Sequence, residues 1–471
     1  MKNIPQNHQD VFTIISEAAE KLDAPVYVVG GYVRDYYLNR LKNDDIDIDF
    51  VTVGSGIELA REVSDRMKDS SLAVYKQFGT AQVKIGNLEL EFVGARKESY
   101  RKNSRKPIVE DGTLEDDQLR RDLTINALSW SLNKENYGEL VDPFNGMEDL
   151  KNENIKTPID PHQTFSDDPL RMMRAIRFAS QLDFRIEEKS FDAITEMSGR
   201  ISIISKERII DELNKIIMSD HPSLGFTMLF KTGLLKEFFP EMHNLHGVKE
   251  VEGVRHKDNF WHTLKVLDNV IELGADLWLR WAAIMHDIAK PPTQRFHPKA
   301  GWTFHGHDAL GAKWTKKIFR RLGLPLDERM RYVRKLVRLH LRPIALVSDE
   351  VSDSAIRRLI YEAGDDIDDL MKLCRADVTT KNEYKKERYQ KNFDYVEQRL
   401  KEVEEKDRIR NWKNPLSGDE IMEALNIEPS RTVGDVKDAV KEAILNGDIP
   451  NDHDAAFEYM MKHKDEFLDN E

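Results

Sequence analysis

An apolar run that ends at two adjacent glycines most constrains how this chain folds. Val26–Val29 predicts a short buried strand, and Gly30 and Gly31 follow it directly. Glycine lets the backbone turn sharply and lets an anion approach main-chain N–H groups with no Cβ in the way. Residues 32–41 then predict a helix whose N-terminus faces the same turn, and Arg34 adds a donor suited to phosphate. The pattern indicates a site for a phosphate-bearing ligand.

Two aspartates lie on the next predicted strand, residues 46–53. Asp47 and Asp49 are two residues apart, so the alternation of a strand puts both carboxylates on one face. Paired carboxylates repel each other unless a cation lies between them, and Mg²⁺ with a nucleoside triphosphate fits such a pair. The alternative is a strand edge whose solvated acids oppose aggregation. The order of strand, glycine turn, helix and Asp-x-Asp strand favours the metal site.

Length, charge and cysteine content restrict the class of protein. The 471 residues exceed what one core organises and predict two to four domains. A net charge of −13 argues against bulk nucleic-acid binding, but basic residues spaced by three and four between 313 and 338 predict a basic stripe on helices. The alternative for that stripe is an ordinary solvated helix face. The single cysteine, Cys374, excludes intrachain disulfides and a cysteine-ligated zinc site. No signal-peptide core or membrane-length apolar run is found, which predicts a cytoplasmic protein that does not contact a membrane.

A later predicted strand, residues 88–93, carries two glutamates on one face. Glu91 is the candidate for a third acid beside the aspartates, and Glu89 is its competitor. For either residue, a cross-strand charge pair is the alternative role. The aperiodic residues 98–117 predict a long loop, and loops of this length are usually functional or disordered.

Residues 119–128 predict a helix with an apolar face. On it, Arg120 and Arg121 lie where they would approach a triphosphate. Asp122 would orient one of these arginines or bind a ribose hydroxyl. The alternative is a network of charges on a helix surface.

A second predicted helix spans residues 167–178. Arg171, Arg174 and Arg177 recur every three residues and share a flank, with Asp168 one turn before the first of them. An aspartate beside an arginine offers an acceptor and donors together, which is enough to read the Watson–Crick edge of one base. An ordinary helix salt bridge is the alternative.

These motifs together resemble those of bacterial CCA-adding tRNA nucleotidyltransferases of the eukaryote-like class, which are related to bacterial poly(A) polymerases. The resemblance covers roughly the first half of the chain. The motifs follow one another in the same order as in the family, which makes a chance match implausible. The matching motifs are Gly30-Gly31-Tyr32-Val33-Arg34-Asp35, Asp47-Ile48-Asp49, Arg120-Arg121-Asp122-Leu123-Thr124-Ile125-Asn126-Ala127, Asp167-Asp168-Pro169-Leu170-Arg171 and Lys206-Glu207-Arg208-Ile209-Ile210-Asp211-Glu212-Leu213.

The resemblance implies an α+β chain in four parts. They are a polymerase-beta-like nucleotidyltransferase head (1–150), a helical neck that selects the base and binds RNA (151–245), an HD body (246–380) and a helical, tRNA-binding tail (381–471). The implied activity is the addition of CCA to tRNA 3′ ends from CTP and ATP, with two Mg²⁺ ions on Asp47 and Asp49. The loop at 98–117 corresponds to the one that switches the family from C to A addition. The alternatives are a poly(A) polymerase, an A-adding enzyme, or an HD phosphohydrolase whose N-terminal half only binds RNA.

The same resemblance assigns nucleotide binding to a set of residues around the motifs, with Asp168 and Arg171 acting as a protein template for the base. The set is Gly30, Gly31, Arg34, Arg120, Arg121, Asp122, Asn126, Asp168, Arg171, Arg174 and Arg177.

The second half of the chain resembles the all-helical HD superfamily of metal-dependent phosphohydrolases. His262, the pair His286 and Asp287, and the distant Asp377 have the ligand types of a divalent-metal site. The alternative is a degenerate HD fold kept as a tRNA-binding body. The sequence indicates neither a substrate for this domain nor the oligomeric state of the protein.

Overall fold

A computed structural model describes residues 4–41, 46–99, 108–346, 352–380, 382–410 and 412–468. The chain divides into two compact units, which we call unit 1 (Met1–Phe238) and unit 2 (Phe239–Glu471). Unit 1 contains a seven-stranded sheet and unit 2 is mainly helical, so the predicted α+β class is confirmed. The finer division into four parts stays a prediction. Within the described ranges, no helix is long and apolar enough to cross a membrane.

The main sheet of unit 1 has the strand order β3-β4-β5-β2-β1-β8-β9. β2 lies parallel to β5, and the other neighbouring pairs are antiparallel. The strands of unit 1 are β1 Val26–Val29, β2 Ile46–Thr52, β3 Ser71–Tyr75, β4 Thr80–Ile85, β5 Leu88–Gly94, β6 Arg96–Ser99, β7 Ile108–Asp111, β8 Ser129–Ser131, β9 Leu140–Val141, β10 Asn154–Ile155 and β11 Arg185–Ile186.

One face of this sheet is apolar because alternate residues of each strand point to it. Phe50 of β2 stacks on Phe92 of β5 with ring centroids 5.0 Å apart, and Phe12 meets Phe50 edge-on at 5.9 Å. Since neighbouring residues of a strand point to opposite faces, burying Phe50 directs Asp49 to the other face. That second face carries the candidate site.

The described residues of unit 1 contain eleven α-helices, and two of them, α1 and α3, pack on each other beside the sheet. The helices are α1 Gln6–Leu22, α2 Gly31–Tyr37, α3 Gly56–Arg66, α4 Leu114–Leu119, α5 Gly146–Lys151, α6 Pro161–Asp167, α7 Leu170–Leu182, α8 Glu188–Met197, α9 Lys206–Ile217, α10 Pro222–Lys231 and α11 Leu234–Phe238.

The prediction of a helix over residues 119–128 is wrong. α4 ends at Leu119, and only a short 3₁₀ turn, Thr124–Asn126, follows. The Asp122 carboxylate accepts hydrogen bonds from the Leu123 N–H at 2.9 Å and from the Asn126 amide at 3.1 Å. Local bonds of this kind compete with the hydrogen bonding of a helix.

The predicted helix over residues 167–178 is confirmed from Leu170 onward, but its predicted start is wrong. α6 ends at Asp167 and α7 begins at Leu170, with Asp168 in an extended conformation between them. A residue that precedes proline is disfavoured in the helical region, and Pro169 imposes that restriction on Asp168. The Asp168 carboxylate instead accepts the Leu170 N–H at 3.0 Å. Asp168 therefore lies at a break rather than on a helix flank.

The predicted loop at 98–117 is largely structured where it is described. β6 and β7 form an antiparallel hairpin that places Lys97 opposite Glu110, and α4 begins after a capping box between Thr113 and Asp116. Opposite charges across a strand pair stabilise such a hairpin. Residues 100–107, the rest of this loop, lie outside the described residues.

Unit 2 buries Phe260, Trp281 and Phe319 in a core to which α13, α14 and α16 contribute. Two small hairpins, β12 Glu250–Val251 with β13 Val254–Arg255 and β14 Arg295–His297 with β15 Gly301–Thr303, interrupt the predicted all-helical pattern. The helices are α12 Pro240–His243, α13 Asn259–Glu272, α14 Leu277–Met285, α15 Lys290–Thr293, α16 His307–Leu322, α17 Glu328–Leu339, α18 Arg342–Leu346, α19 Asp353–Ala363, α20 Ile367–Asp377, α21 Glu383–Asp407, α22 Gly418–Leu425, α23 Arg431–Asn446, α24 His453–Lys462 and α25 Lys464–Leu468.

Candidate active site and metal cluster

The parallel pairing of β2 with β5 brings four acids to one face of the sheet. Asp47 lies opposite Glu89, and Asp49 lies opposite Glu91. Gly30 turns the chain beside them with a φ of +73°. A Cβ there would be 3.1 Å from Nη1 of Arg121 and 3.8 Å from Oδ2 of Asp49. The glycine turn therefore leaves room for an arginine close to the aspartate pair.

The two glutamates have different environments. Glu89 accepts hydrogen bonds from Lys84 at 2.8 Å and from Gln82 at 2.9 Å, and the lysine lowers the pKa of Glu89. Burial, together with the charges of Asp49 and Asp47, raises the pKa of Glu91. Glu91 thus shares its electrostatic environment with the aspartates, whereas Glu89 is neutralised by Lys84.

The Asp49 carboxylate is destabilised in its charged form. Burial raises its pKa, Arg121 opposes that shift, and the charge of Asp47 adds to it. Repulsion of this kind among Asp47, Asp49 and Glu91 is relieved when a cation binds between the oxygens. Hard oxygen donors are also the ligands that Mg²⁺ prefers. The donor set therefore fits a divalent cation.

A cavity of about 390 Å³ opens beside this acidic face. It brings together acids of the sheet with arginines from other parts of unit 1. Its polar lining is Asp49, Glu91, Arg120, Arg121, Asp122, Asp168, Arg171, Arg174 and Arg208. The predicted site residues outside this lining are Asp47, Gly30, Gly31, Arg34, Asn126 and Arg177.

Two buried aspartates orient three of the cavity arginines. Asp117, which is fully buried, pairs with Arg120 through one oxygen and with Arg121 at 3.0 Å through the other. Asp122 accepts Nε of Arg174 at 2.6 Å. Burial opposes the ionisation of Asp122, but Arg174 and the amide of Asn126 outweigh it and lower its pKa to about 2. Each arginine is thereby fixed while it keeps further N–H donors for a ligand.

Arg34 lies behind the cavity rather than in it. Its guanidinium donates to Asn126 at 2.7 Å and to both oxygens of Asp35, and it lies over the Phe178 ring at 4.8 Å. Arg177 lies over the same ring at 4.2 Å. The structure thus holds Arg34 and Arg177 in internal contacts next to the site.

The predicted base-reading pair lines the cavity, but its members do not pair with each other. Asp168 accepts Nη2 of Arg208 at 2.8 Å, and Arg171 donates to the Arg120 carbonyl at 2.6 Å. Asp117 and Arg208 were missed by the sequence reasoning. Asp117 had a local signal, because it precedes Arg120 and Arg121 by three and four residues, the spacing at which side chains meet across a helical turn. Arg208 lies in the neck motif, where nothing local indicates its contact with Asp168.

In unit 2, the four predicted HD ligands converge. His262 Nε2 is 2.9 Å from Asp377 and 3.5 Å from Asp287, and His286 Nε2 is 3.1 Å from Asp287. His286 Nδ1 hydrogen-bonds the Ala283 carbonyl at 2.7 Å, so its other nitrogen faces the carboxylates. His286 Nε2 and Asp287 Oδ2 are buried with no well-formed hydrogen bond. Lys290 Nζ also lies 2.5 Å from Asp287 Oδ2, so the carboxylate already attracts a cation at this point, as a metal site requires.

Two further histidines, not included in the predicted ligand set, extend this cluster. His307 Nε2 lies 3.3 Å and His340 Nε2 lies 3.8 Å from the second oxygen of Asp287. Their Nδ1 atoms also hydrogen-bond backbone carbonyls, which orients the rings. Asp287, His307 and His340 therefore form a second group with the spacing of metal ligands, sharing Asp287 with the first.

The charges in this cluster favour a cation where the side chains converge. Burial lowers the pKa of His286, but the carboxylates of Asp287 and Asp377 outweigh it and raise that pKa to about 10. Burial and the charge of His286 lower the pKa of His340 to about 4, which leaves its imidazole neutral near pH 7. Carboxylates beside a neutral imidazole suit a divalent transition metal.

Three family models match successive parts of the chain. They are the poly A polymerase head domain at residues 26–156, the probable RNA and SrmB-binding site of polymerase A at residues 183–245, and the HD domain at residues 259–382. The A-adding tRNA nucleotidyltransferase of Deinococcus radiodurans is 30% identical over 441 residues, which cover 91% of this chain and 93% of the relative. The multifunctional CCA protein of Shewanella frigidimarina is 32% identical over 311 residues, covering 64% and 71%.

This chain belongs to the tRNA nucleotidyltransferase family, as its motifs indicated, and it is an enzyme of that type. Solved structures agree with its fold. A CCA-adding enzyme in complex with ATP superimposes with a TM-score of 0.64 at 21% identity, covering 98% of this chain and 96% of the other. The Thermotoga maritima CCA-adding enzyme complexed with tRNA gives 0.60 at 20% identity, covering 98% and 97%.

Proposed function

We propose that this enzyme adds C, C and A in turn to the 3′ end of tRNA, using CTP and ATP. The observation that carries the proposal is a single cavity that has the carboxylates Asp49 and Glu91 on one side and arginines on the other. A triphosphate needs cations for its phosphates, and phosphoryl transfer needs charge stabilisation where the oxygens react. The relatives named as CCA or A-adding enzymes support the choice of substrate.

We infer that Mg²⁺ binds to Asp47 and Asp49, with Glu91 as the third acid beside them. Bound there, two such ions would supply activation of the tRNA 3′-hydroxyl and neutralise charge on the leaving pyrophosphate. Arg121 and Arg174 would bind the triphosphate, because Asp117 and Asp122 already hold them in place. Their fixed orientation lowers the cost of ordering side chains when the nucleotide enters.

For base choice, we infer that Asp168 and Arg171 read the Watson–Crick edge of cytosine or adenine. Both line the cavity, and Arg208 holds one oxygen of Asp168. A base that leaves these donors and acceptors unpaired would be rejected, because an unpaired buried polar group costs about 1–3 kcal/mol.

The test uses three tRNA transcripts, ending before CCA, after C and after CC, each with radiolabelled CTP or ATP and Mg²⁺. Addition of C, C and A to the shortest transcript, resolved nucleotide by nucleotide on a gel, supports the proposal. The Asp47→Asn/Asp49→Asn double variant is the negative control. A product limited to A on the transcript ending in CC would replace the proposal with A addition, for which the relative from Deinococcus radiodurans is named. Long A tails would indicate a poly(A) polymerase.

We further propose that the histidine and aspartate cluster of unit 2 holds a divalent metal. The support is the convergence of Nε2 atoms on Asp287 and Asp377, with two buried atoms that lack hydrogen bonds. A metal in such a ligand set would provide the chemistry for phosphoester hydrolysis. Absence of nucleotide incorporation together with metal-dependent hydrolysis of a phosphodiester by the full chain would favour the hydrolase alternative.

A further inference from the structure

Three arginines of unit 1 lie around a single aromatic ring, that of Phe178. The guanidinium carbons of Arg177, Arg34 and Arg174 are 4.2, 4.8 and 5.5 Å from the centroid of this ring. A guanidinium group within about 6 Å of a ring centroid is attracted to the negative face of the ring. The ring of Phe178 therefore contributes to holding all three arginines.

Gathering three guanidinium groups costs electrostatic free energy unless each has a counterion. Burial lowers the pKa of Arg177; Glu212 opposes that shift, whereas the charges of Arg174 and Arg34 add to it. Each arginine has a carboxylate partner, and the pairs are Arg34 with Asp35, Arg174 with Asp122, and Arg177 with Glu212. The three ion pairs offset the repulsion and allow the arginines to share one ring.

One of the three arginines faces a ligand. Arg174 lines the 390 Å³ cavity, whereas Arg34 and Arg177 lie outside its lining. The side chain of Arg174 is 34% exposed, against 10% for each of the other two. The contacts of Arg34 and Arg177 are thus internal, and Arg174 is the member that a molecule in the cavity reaches.

The guanidinium of Arg174 is restrained both along its edge and on its face. Its Nε donates to Oδ2 of Asp122 at 2.6 Å, while Glu212 is 3.9 Å from Nη1, beyond hydrogen-bond distance. A single hydrogen bond leaves a planar group free to tilt about that bond. Phe178, one helical turn further along α7, presents its ring to the guanidinium and opposes the tilt. The two contacts fix the orientation of the group and leave its Nη atoms for phosphate oxygens.

Arg34 and Asn126 connect these two contacts of Arg174 from behind. Arg34 donates to Asn126 at 2.7 Å, and Asn126 donates to the other oxygen of Asp122 at 3.1 Å. Since Arg34 also lies over the Phe178 ring, the five side chains form a closed circuit of contacts. One member of such a circuit cannot shift unless its neighbours shift too, which is how packing keeps a binding group in place.

We propose that Phe178 is a positioning residue for nucleotide binding, and that it acts through the guanidinium of Arg174. This inference rests on the proposed function, in which Arg174 binds the triphosphate. Phe178 is only 7% exposed, so apolar packing alone is the competing role. Packing alone would change the stability of unit 1. A positioning role instead changes nucleotide affinity, and does so only while Arg174 is present.

The test is a double-mutant cycle between Phe178→Leu and Arg174→Gln in the full chain. Leucine stays apolar but removes the aromatic face. The matched control is Phe184→Leu, because Phe184 is 5% exposed just beyond the end of α7, and no lysine or arginine of the described residues lies over its ring. Dissociation constants for CTP and ATP are measured by isothermal titration calorimetry. KM and kcat for incorporation and the urea midpoint of unit 1 are measured on the same proteins.

Phe178→Leu is expected to weaken the binding of CTP and ATP about three- to tenfold and to raise KM by the same factor. The value of kcat should stay nearly constant, because a contact made equally before and during the reaction affects KM alone. In the Arg174→Gln background, the same replacement should change the dissociation constants by less than about twofold. Phe184→Leu should lower the urea midpoint and leave nucleotide affinity unchanged.

A similar loss of affinity in both Arg174 backgrounds would overturn the proposal. Equal losses for Phe178→Leu and Phe184→Leu would also overturn it and would indicate packing alone; this comparison needs no Arg174 variant. Nucleotide incorporation by the unaltered chain, assayed in parallel, tests the proposed function separately.

Discussion

Asp122 is the residue whose loss should be most informative about the candidate site. It is 7% exposed and accepts hydrogen bonds from Arg174, Asn126 and the backbone of Leu123. In Asp122→Asn, the shape is kept but the charge that pairs with Arg174 is lost. We therefore expect unit 1 to become less stable and the affinity for nucleotide to fall, because Arg174 loses the partner that orients it.

The magnitude follows from the pKa of Asp122. Its pKa of about 2 lies below the ordinary value of 3.8. That difference corresponds to about 2 kcal/mol at neutral pH. A buried hydrogen bond to a charged group contributes about 1.5–3 kcal/mol, which is the same range. Because the pKa is lowered by folding, this stability is fully present above pH 4 and is lost as the pH falls toward 2.

The assay must report on unit 1 alone, because a chain of two compact units does not unfold in one transition. Trp130 is the sole tryptophan of residues 1–238 and is buried, so the ¹⁹F resonance of 5-fluorotryptophan at this position follows unit 1. A loss of 2 kcal/mol should lower the urea midpoint at pH 7 by about 1 M. Glu62→Gln is the control, because Glu62 pairs with Lys21 and Arg66 on the surface of the same unit. Equal midpoints for Asp122→Asn and the unaltered chain would refute the reasoning.

Three further predictions concern the acids and the metal cluster. Asp49→Asn should reduce incorporation by at least about 100-fold, because it removes a carboxylate that would hold the metal ion. Unchanged incorporation would contradict this. Glu91→Gln should reduce kcat for incorporation. Glu89→Gln should not, because Glu89 contacts Lys84 and Gln82 and lies outside the cavity lining; equal losses would remove the distinction. His262→Gln should lower the divalent-metal content after dialysis, measured by mass spectrometry, and leave CTP incorporation intact; unchanged metal content would argue against the cluster as a metal site.

The acidic face of the sheet could be predicted from the sequence, because it depends only on how side chains alternate between the two faces of a strand. The preference for Glu91 over Glu89 also had a local signal that the sequence reasoning did not use. Gly86 and Asn87 form a two-residue connection, and Gly86 has a φ of +55°. A two-residue hairpin fixes the register of its strands, which puts Lys84 opposite Glu89. The pairing of Lys84 with Glu89 could therefore have been predicted from the sequence.

Other features depend on contacts between distant residues and could not be predicted locally. Arg174 lies 52 residues from Asp122, and Arg208 lies 40 residues from Asp168. The errors in the two helix predictions have a related cause. At Asp122 and at Asp168, the side chain hydrogen-bonds nearby backbone, and helical periodicity does not detect such bonds.

The way the arginines are held explains how the cavity carries both signs of charge. Arg120 and Arg121 share Asp117, Arg174 has Asp122, and Arg208 has Asp168, so a carboxylate orients each of these four guanidinium groups. On the sheet side, Asp49 and Glu91 have raised pKa values. Among the described residues, no lysine or arginine forms an ion pair with either carboxylate. Charge on the arginine side is thus already compensated in part, whereas the acids facing them are not. A ligand that is cationic toward the sheet and anionic toward the arginines, as a metal-bound triphosphate is, matches both sides at once.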